Sequence, residues 1–243
     1  MHIIKLNAID STNSYLRQLI VTENVVDFTV VIAESQTNGR GQMGTVWESQ
    51  ATKNLTFSVF KDLTGLQLEH PFYISIVTSL ALIKTLKSFS IPKLSVKWPN
   101  DILSGNKKIC GILIENVIKQ NVLSASVIGI GLNVNQTTFD TLPNASSLKE
   151  ISGIVYDLDE VSYEILKHLK YYFKILKKKK FTVLKNEYEA HLFRKNKPST
   201  FKNAEGLMFS GFIKHITDSG MLQVLLEDDI VKAFDLKEIT LMY

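Results

Sequence analysis

TNGRGQMGTVWESQATKNLTFSVF, residues 37–60, decides between two folds. Gly39, Gly41 and Gly44 have the G-x-G-x-x-G spacing of a dinucleotide-binding turn, which requires a strand before it and a helix after it. The strand is present, because Phe28 to Glu34 is β-branched and apolar. The helix is not. Leu55, Phe57 and Val59 alternate with Asn54, Thr56 and Ser58, which is the period of a strand. A loop between two strands excludes the doubly wound entry. It can still bind an anion, since glycines let backbone N–H groups approach phosphate closely.

On either side of that stretch the elements alternate irregularly. His2 to Leu6 reads as a strand, and Asp10-Ser-Thr-Asn opens a helix carrying Leu16, Leu19 and Ile20. Pro71 opens a second helix, so rich in Ile, Val and Leu that it is expected to be mostly buried. Leu94–Trp98, Ile109–Ile118 and Val122–Ile130 read as strands separated by short turns, and 133–150 as a long loop. Two helices follow, Asp157–Lys180 and Phe181 to about His191. Hairpin-linked strands mixed with helices predict an α+β fold with a mixed or antiparallel sheet. After Pro198 come short alternating runs with turns at Asp218–Gly220 and Glu227–Asp229, which predict a small β-barrel. The expected division is 1–195 and 196–243.

The chain has 243 residues and a net charge of +4, too weakly basic to argue for nucleic acid. A lone cysteine, Cys110, excludes an intrachain disulfide framework and multi-cysteine zinc sites, and suits a reducing compartment. No apolar run approaches the roughly 20 residues of a membrane span. A cytoplasmic location without membrane attachment is the expectation.

Chemistry-bearing residues gather in three further clusters: KWPND (97–101), KKICGILIEN (107–116) and GIGLNVNQ (129–136). A lysine beside a turn is ordinarily only solvated, as the Lys177–Lys180 run is expected to be, and Trp98 before Pro99 is ordinarily core. The clusters nevertheless recur at successive strand–loop junctions, pairing glycines with cations, which is what the binding of anionic phosphates requires.

Together, STN (11–13), ESQTNGRGQMG and VW (34–47), KWPND, KICGILIE (108–115) and GIGLNVN (129–135) resemble the biotin–protein ligases in order and spacing, and GMLQVL with KEIT resembles their C-terminal barrel. The resemblance implies a class II synthetase-like fold of the biotin/lipoate ligase superfamily. It implies ATP, Mg²⁺ and biotin as reactants. On that resemblance biotinoyl-5′-AMP would form first, and the biotinoyl group would then pass to a lysine of a biotin carboxyl carrier domain. By similarity, Ser11, Thr12, Asn13, Gln36, Gly39, Arg40, Gly41, Gln42, Lys108 and Gly111 would bind biotin. Arg40, Gly41, Gln42, Gly44, Trp47, Asn100, Lys108 and Asn133 would bind nucleotide, with Trp47 stacking adenine. Lys108, Arg40 and Asp101 would be catalytic, Asp101 receiving the acceptor lysine. No metal ligands are named. Gln42 stands where many members have arginine, and it brings hydrogen bonds without charge. The chain starts at the catalytic segment, so operator DNA binding is not expected; a monomer or homodimer is.

Two rival readings remain at this stage. A lipoate ligase or octanoyl transferase would share the fold class and a pocket lysine; KWPND and the G-R-G loop favour biotin. A non-catalytic nucleic-acid module would need a basic barrel, but the tail contains Glu205, Asp218, Glu227, Asp228, Asp229, Asp235 and Glu238.

Overall fold

The computed structural model describes residues 2–139 and 142–243. A seven-stranded sheet has the order β1-β2-β3-β7-β6-β5-β4, with β1 (Ile3–Ile9), β2 (Val30–Gln36), β3 (Leu55–Asp62), β4 (Leu94–Lys97), β5 (Asp101–Ser104), β6 (Lys107–Lys119) and β7 (Val122–Leu132). β1 and β2 are parallel and the remaining pairs antiparallel, so the sheet is mixed and the α+β expectation holds. The strand at 55–62 follows the glycine loop, as its alternation requires.

Alternation along the strands sorts side chains onto two faces. One face takes Phe57, Val59, Ile112, Ile128 and Ile130 into the main core. That core is covered by helix α2 (Phe72–Ser88), apolar on nearly every side because it is enclosed by the sheet and by α4 (Leu158–Lys177) and α5 (Phe181–Ala190). The other face carries helix α1 (Thr12–Thr22), whose fully buried Leu16 packs with Val31, Phe60 and Val127. Ser11 caps α1 by accepting from the Ser14 N–H. Within the stretch read as a loop, Leu148–Ser152 forms a short helix, α3; residues 140 and 141 of that stretch lie outside the described residues.

The tail forms a second, five-stranded antiparallel sheet, order β11-β10-β9-β8-β12, from β8 (Pro198–Asn203), β9 (Met208–Ile216), β10 (Leu222–Leu226), β11 (Val231–Phe234) and β12 (Ile239–Met242). The sequence predicts a barrel here, but no ladder joins β11 to β12 among the described residues. The sheet is nevertheless strongly coiled. Laid flat, its edge strands would stand about 19 Å apart, at about 4.8 Å per spacing. The link between them turns on a bond from the Glu238 N–H to the Asp235 carbonyl, which holds the strand ends within about 15 Å. Phe201, Phe209 and Phe234 stack along the concave side, with successive centroids 5.4 and 5.6 Å apart.

The two sheets share one core. Trp98 Nε1 donates to the Gly220 carbonyl at 2.8 Å. Buried Glu189, at the end of α5, accepts from the Ile216 N–H at 3.0 Å, stands 2.8 Å from His215 Nδ1 and 3.1 Å from Lys195 Nζ.

Candidate active site

The site is a trough in the α1 face of the large sheet, and strand register explains it. Directly paired residues of neighbouring strands project to the same side. The chain of pairs Ala33, Thr56, Gly131, Gly111, Asp101, Lys97 crosses six strands. A second row, Val31, Ser58, Gly129, Leu113, runs beside it. Both rows put glycine where the sheet is central, so the floor has no side chains there and polar groups rim it. The resulting cleft has a volume of about 230 Å³.

Twelve of the residues predicted from sequence line this cleft: Ser11, Thr12, Asn13, Gln36, Arg40, Gly41, Gln42, Trp47, Asn100, Asp101, Lys108 and Gly111. Gly39 and Gly44 belong to the loop without lining the cleft. A Cβ on Gly39 would meet the Trp47 carbonyl oxygen at 2.2 Å, and Gly44 has φ +80°. Asn133 is not brought to the cleft. It is buried, and its amide donates to the Ser146 carbonyl at 3.1 Å, tying down the segment after β7.

One end of the trough is a network of amides and hydroxyls. Thr12 donates to Gln36 Oε1 through its N–H at 2.8 Å and through Oγ1 at 3.0 Å. Ser58, fully buried, stands 2.8 Å from Thr12 Oγ1 and 2.5 Å from Asn13 Oδ1. It has one proton, so it serves one of these acceptors at a time. Asn13 Nδ2 donates to Glu115 Oε2 at 2.8 Å. A Cβ on Gly129 would meet Asn13 Oδ1 at 2.3 Å, so only glycine leaves this amide its place.

The other end is charged. Lys108 Nζ stands 2.7 Å from Asp101 Oδ1, off the direction of a hydrogen bond, and Lys97 Nζ stands 4.0 Å from Oδ2. Burial lowers the Lys97 pKa, an effect that Asp101 opposes and Lys108 reinforces. A bulge lies between the pairs Ile102–Cys110 and Leu103–Lys108. Lys107 turns away and donates to the Pro143 carbonyl. Cys110 lies fully buried in the core beneath the floor, and burial pushes its thiol pKa up, so it is no nucleophile.

The glycine loop folds over the trough as a closed ring. Gly41 N–H donates to the Thr45 carbonyl at 2.7 Å, and Trp47 N–H to the Gly39 carbonyl at 2.9 Å. The Trp47 indole lies on the glycine floor: a Cβ on Gly131 would be 2.3 Å from its Cε2, and one on Gly111 3.1 Å from its Cζ3. Its Nε1 is buried without a partner. The Arg40 guanidinium is committed to Glu115 Oε1 at 2.9 Å and Ser14 Oγ at 3.3 Å. The sequence grouped Arg40 with Lys108 and Asp101 as catalytic. All three line the cleft, with the Arg40 head drawn to Glu115, seven residues along β6 from Lys108.

Sequence reading assigned no role to Ser58, Glu115, Gly129 or Gly131. Glu115 and the two glycines lay inside motifs already singled out. Ser58 gave no signal of its own. Among the described residues, no group of three or more His, Cys, Asp or Glu could hold a metal ion, and no helix is long and apolar enough to cross a membrane.

The chain is similar to known proteins in sequence and fold. A family model described as the biotin/lipoate A/B protein ligase family matches residues 6–133. The bifunctional ligase/repressor BirA of Bacillus spizizenii is 29% identical over 238 residues, covering 96% of this chain and 72% of that protein. The biotin--[acetyl-CoA-carboxylase] ligase of Mycobacterium tuberculosis is 30% identical over 162 residues, 65% of this chain and 59% of that one. Among solved structures, the biotin protein ligase from Aquifex aeolicus in complex with biotin and ATP superposes with a TM-score of 0.84 at 28% identity, covering 99% of this chain and 98% of that chain.

Proposed function

The chain belongs to the biotin/lipoate A/B protein ligase family, and from that premise we propose that it is a biotin–[acetyl-CoA-carboxylase] ligase. It activates biotin with ATP as biotinoyl-5′-AMP and transfers the biotinoyl group to a lysine of a carboxyl carrier domain. The observation that supports this most is the row Thr56, Gly131, Gly111, Asp101, Lys97: a floor without side chains, ending in a carboxylate between two ammonium groups.

Joining a carboxylate to a polyphosphate brings like charges together, and fixed cations must offset their repulsion. Lys108 is the cation at the reacting end, with Lys97 behind it. The Thr12–Asn13–Gln36–Ser58 network offers paired donors and acceptors to a polar ureido ring, which is costly to bury without them. Asp101 receives the incoming acceptor amine as an ammonium and helps it shed its proton. Trp47, above the floor, excludes water from the mixed anhydride and offers a face to adenine. Mg²⁺ accompanies the ATP phosphates; the donors present suit a metal held chiefly by phosphate oxygens and water. In this reading residues 1–195 bind both small substrates, and residues 196–243 brace the KWPND segment through Trp98.

The test is pyrophosphate release and carrier labelling by the purified chain with ATP and Mg²⁺, with biotin or lipoate supplied in parallel. Release and labelling with biotin, and neither with lipoate, are expected. The opposite preference would replace this activity with that of a lipoate ligase.

A further inference from the structure

We propose that Glu115 is a positioning residue that latches the 39–47 loop over the trough. The latch is a matter of geometry; its consequence for substrate rests on the ligase reading given above.

Three side chains from two segments, the loop and α1, meet at this carboxylate, which is 12% exposed on β6. Oε1 accepts from Arg40 Nη2 at 2.9 Å and from Arg17 Nη1 at 3.0 Å, and Oε2 accepts from Asn13 Nδ2 at 2.8 Å. Arg40 Nη1 approaches Oε2 at 3.5 Å, so its guanidinium engages the carboxylate as a fork. Apart from these bonds, that of Arg40 Nη1 to Ser14 Oγ at 3.3 Å and the seat of the Trp47 ring on the glycine floor, the loop bonds to itself. Its bonds run from Gly41 to Thr45, Thr45 to Gln42 and Trp47 to Gly39, all inside the ring. Held by so few bonds of its own, such a ring opens to water when its anchor is lost. Arg40 to Glu115 is the ion pair that ties it to the sheet among the described residues. Glycines at 39, 41 and 44 lose much entropy when the loop orders, and this ion pair offsets part of that loss.

The same carboxylate sets the amide of Asn13. With Nδ2 donating to Glu115, Oδ1 is left toward Ser58 and Gly129. Glu115 thus couples closure of the loop to the orientation of a group at the polar end of the trough. A buried acid that merely supported the fold would affect stability, with no preference for the loop.

The experiment is amide hydrogen exchange on the ligand-free chain, followed by biotin-dependent pyrophosphate release. Glu115→Gln is isosteric and can still accept from Asn13, but its amide group repels the guanidinium. Exchange at the Gly41 and Trp47 amides should accelerate about tenfold or more, while α2 and β7 keep their protection. Arg17→Ala removes the other cation and should leave the loop slow. Glu115→Asp should fall between wild type and Glu115→Gln. In turnover, Glu115→Gln should raise KM for biotin about tenfold and change kcat less than about threefold. Unchanged loop exchange in Glu115→Gln, or equal acceleration by Arg17→Ala, overturns the latch. If Glu115→Gln fails to fold, Arg40→Lys, which keeps the charge and loses the fork, must accelerate the same two amides or the latch is wrong. Accelerated exchange in a chain whose wild type shows no biotin-dependent release leaves the latch standing and overturns the ligase reading.

Discussion

Lys108 and Asp101 face each other across β6 and β5 with 2.7 Å between Nζ and Oδ1, and the bulge at Ile109 sets that distance. An opposite charge this close holds the ammonium in place before any substrate arrives. In the proposed reaction, a phosphate that takes over the lysine would release the carboxylate for the second step.

Lys108→Ala should therefore abolish most adenylate formation while leaving the fold intact. The expected loss is roughly a hundredfold or more, the scale of removing one electrostatic stabiliser of a transition state. Lys107→Ala, which removes a bond to the Pro143 carbonyl, should stay within a few tenths of a kcal/mol in stability, about the range of surface changes, and near normal in rate. Pyrophosphate release with biotin, ATP and Mg²⁺ measures both. Impairment of the Lys107 variant instead would mean that the opposite face of β6 carries the chemistry.

Gly131→Ala should dislodge Trp47, because its Cβ would stand 2.3 Å from the ring, whereas Gly111→Ala would stand 3.1 Å away and need only a small shift. The chain has two tryptophans, Trp47 and Trp98. In a Trp98→Phe background, at a cost of about 1 kcal/mol for the lost hydrogen bond to Gly220, emission reports Trp47 alone. A red shift and a weakening of biotin binding by about tenfold are expected for Gly131→Ala, with a smaller change for Gly111→Ala. Identical spectra in the two variants would show that the floor does not hold the ring.

Acid should loosen the junction between the sheets at Glu189. Burial alone would raise its pKa; hydrogen bonds from His215 and the Ile216 N–H, together with Lys195, outweigh this and hold it lowered. A lowered folded pKa gives stability that is complete above the ordinary glutamate value of about 4.3 and is lost as pH falls through the folded value. Glu189→Gln should lower Tm at pH 7, by about 1–3 kcal/mol in stability for a buried group losing charged partners, and the two Tm curves should converge in acid. Parallel curves down to the acid limit would remove Glu189 from the acid response.

Gly220→Ala should be among the most destabilising changes in the tail. Its φ is +95°, and a Cβ would lie 2.2 Å from Phe72 Cγ. Positive φ and a collision with a packed ring each cost on the order of 1–3 kcal/mol. Thermal unfolding, compared with Gly206→Ala, checks this: Gly206 has φ +88° but meets nothing nearer than Lys202 Cε at 3.7 Å, so the difference between the two isolates the collision.

Strands and helices were legible wherever one segment carried its own period, as Leu55–Phe60 and the helix after Pro71 do. Ser58 was not, because its place in the site depends on pairing with Gly129, 71 positions later, and alternation shows which residues share a face without showing what faces them. The partner of Asn133 was not legible for a related reason. That asparagine adjoins a glycine-rich strand end, but its amide is taken up by Ser146, a partner that no local pattern discloses. Arg40 was recognised as a cation for the site, yet its direction was set by Glu115 on a distant strand. Short alternating runs in the tail gave strands, while closure of a sheet is a property of its edges.

The bond from Trp98 to Gly220 has a bearing on how the protein is made. No residue after 131 lines the cleft among the described residues, yet Asp101 sits three positions beyond a tryptophan whose indole N–H is anchored 122 residues later. A ribosome delivers Asp101 and Lys108 well before it delivers Gly220. The segment up to Gly131 supplies the cleft-lining residues, while Trp98 lacks its partner until the second sheet is made. A nascent chain halted before residue 220 would therefore present the cleft-lining residues with the segment leading into Asp101 not yet braced.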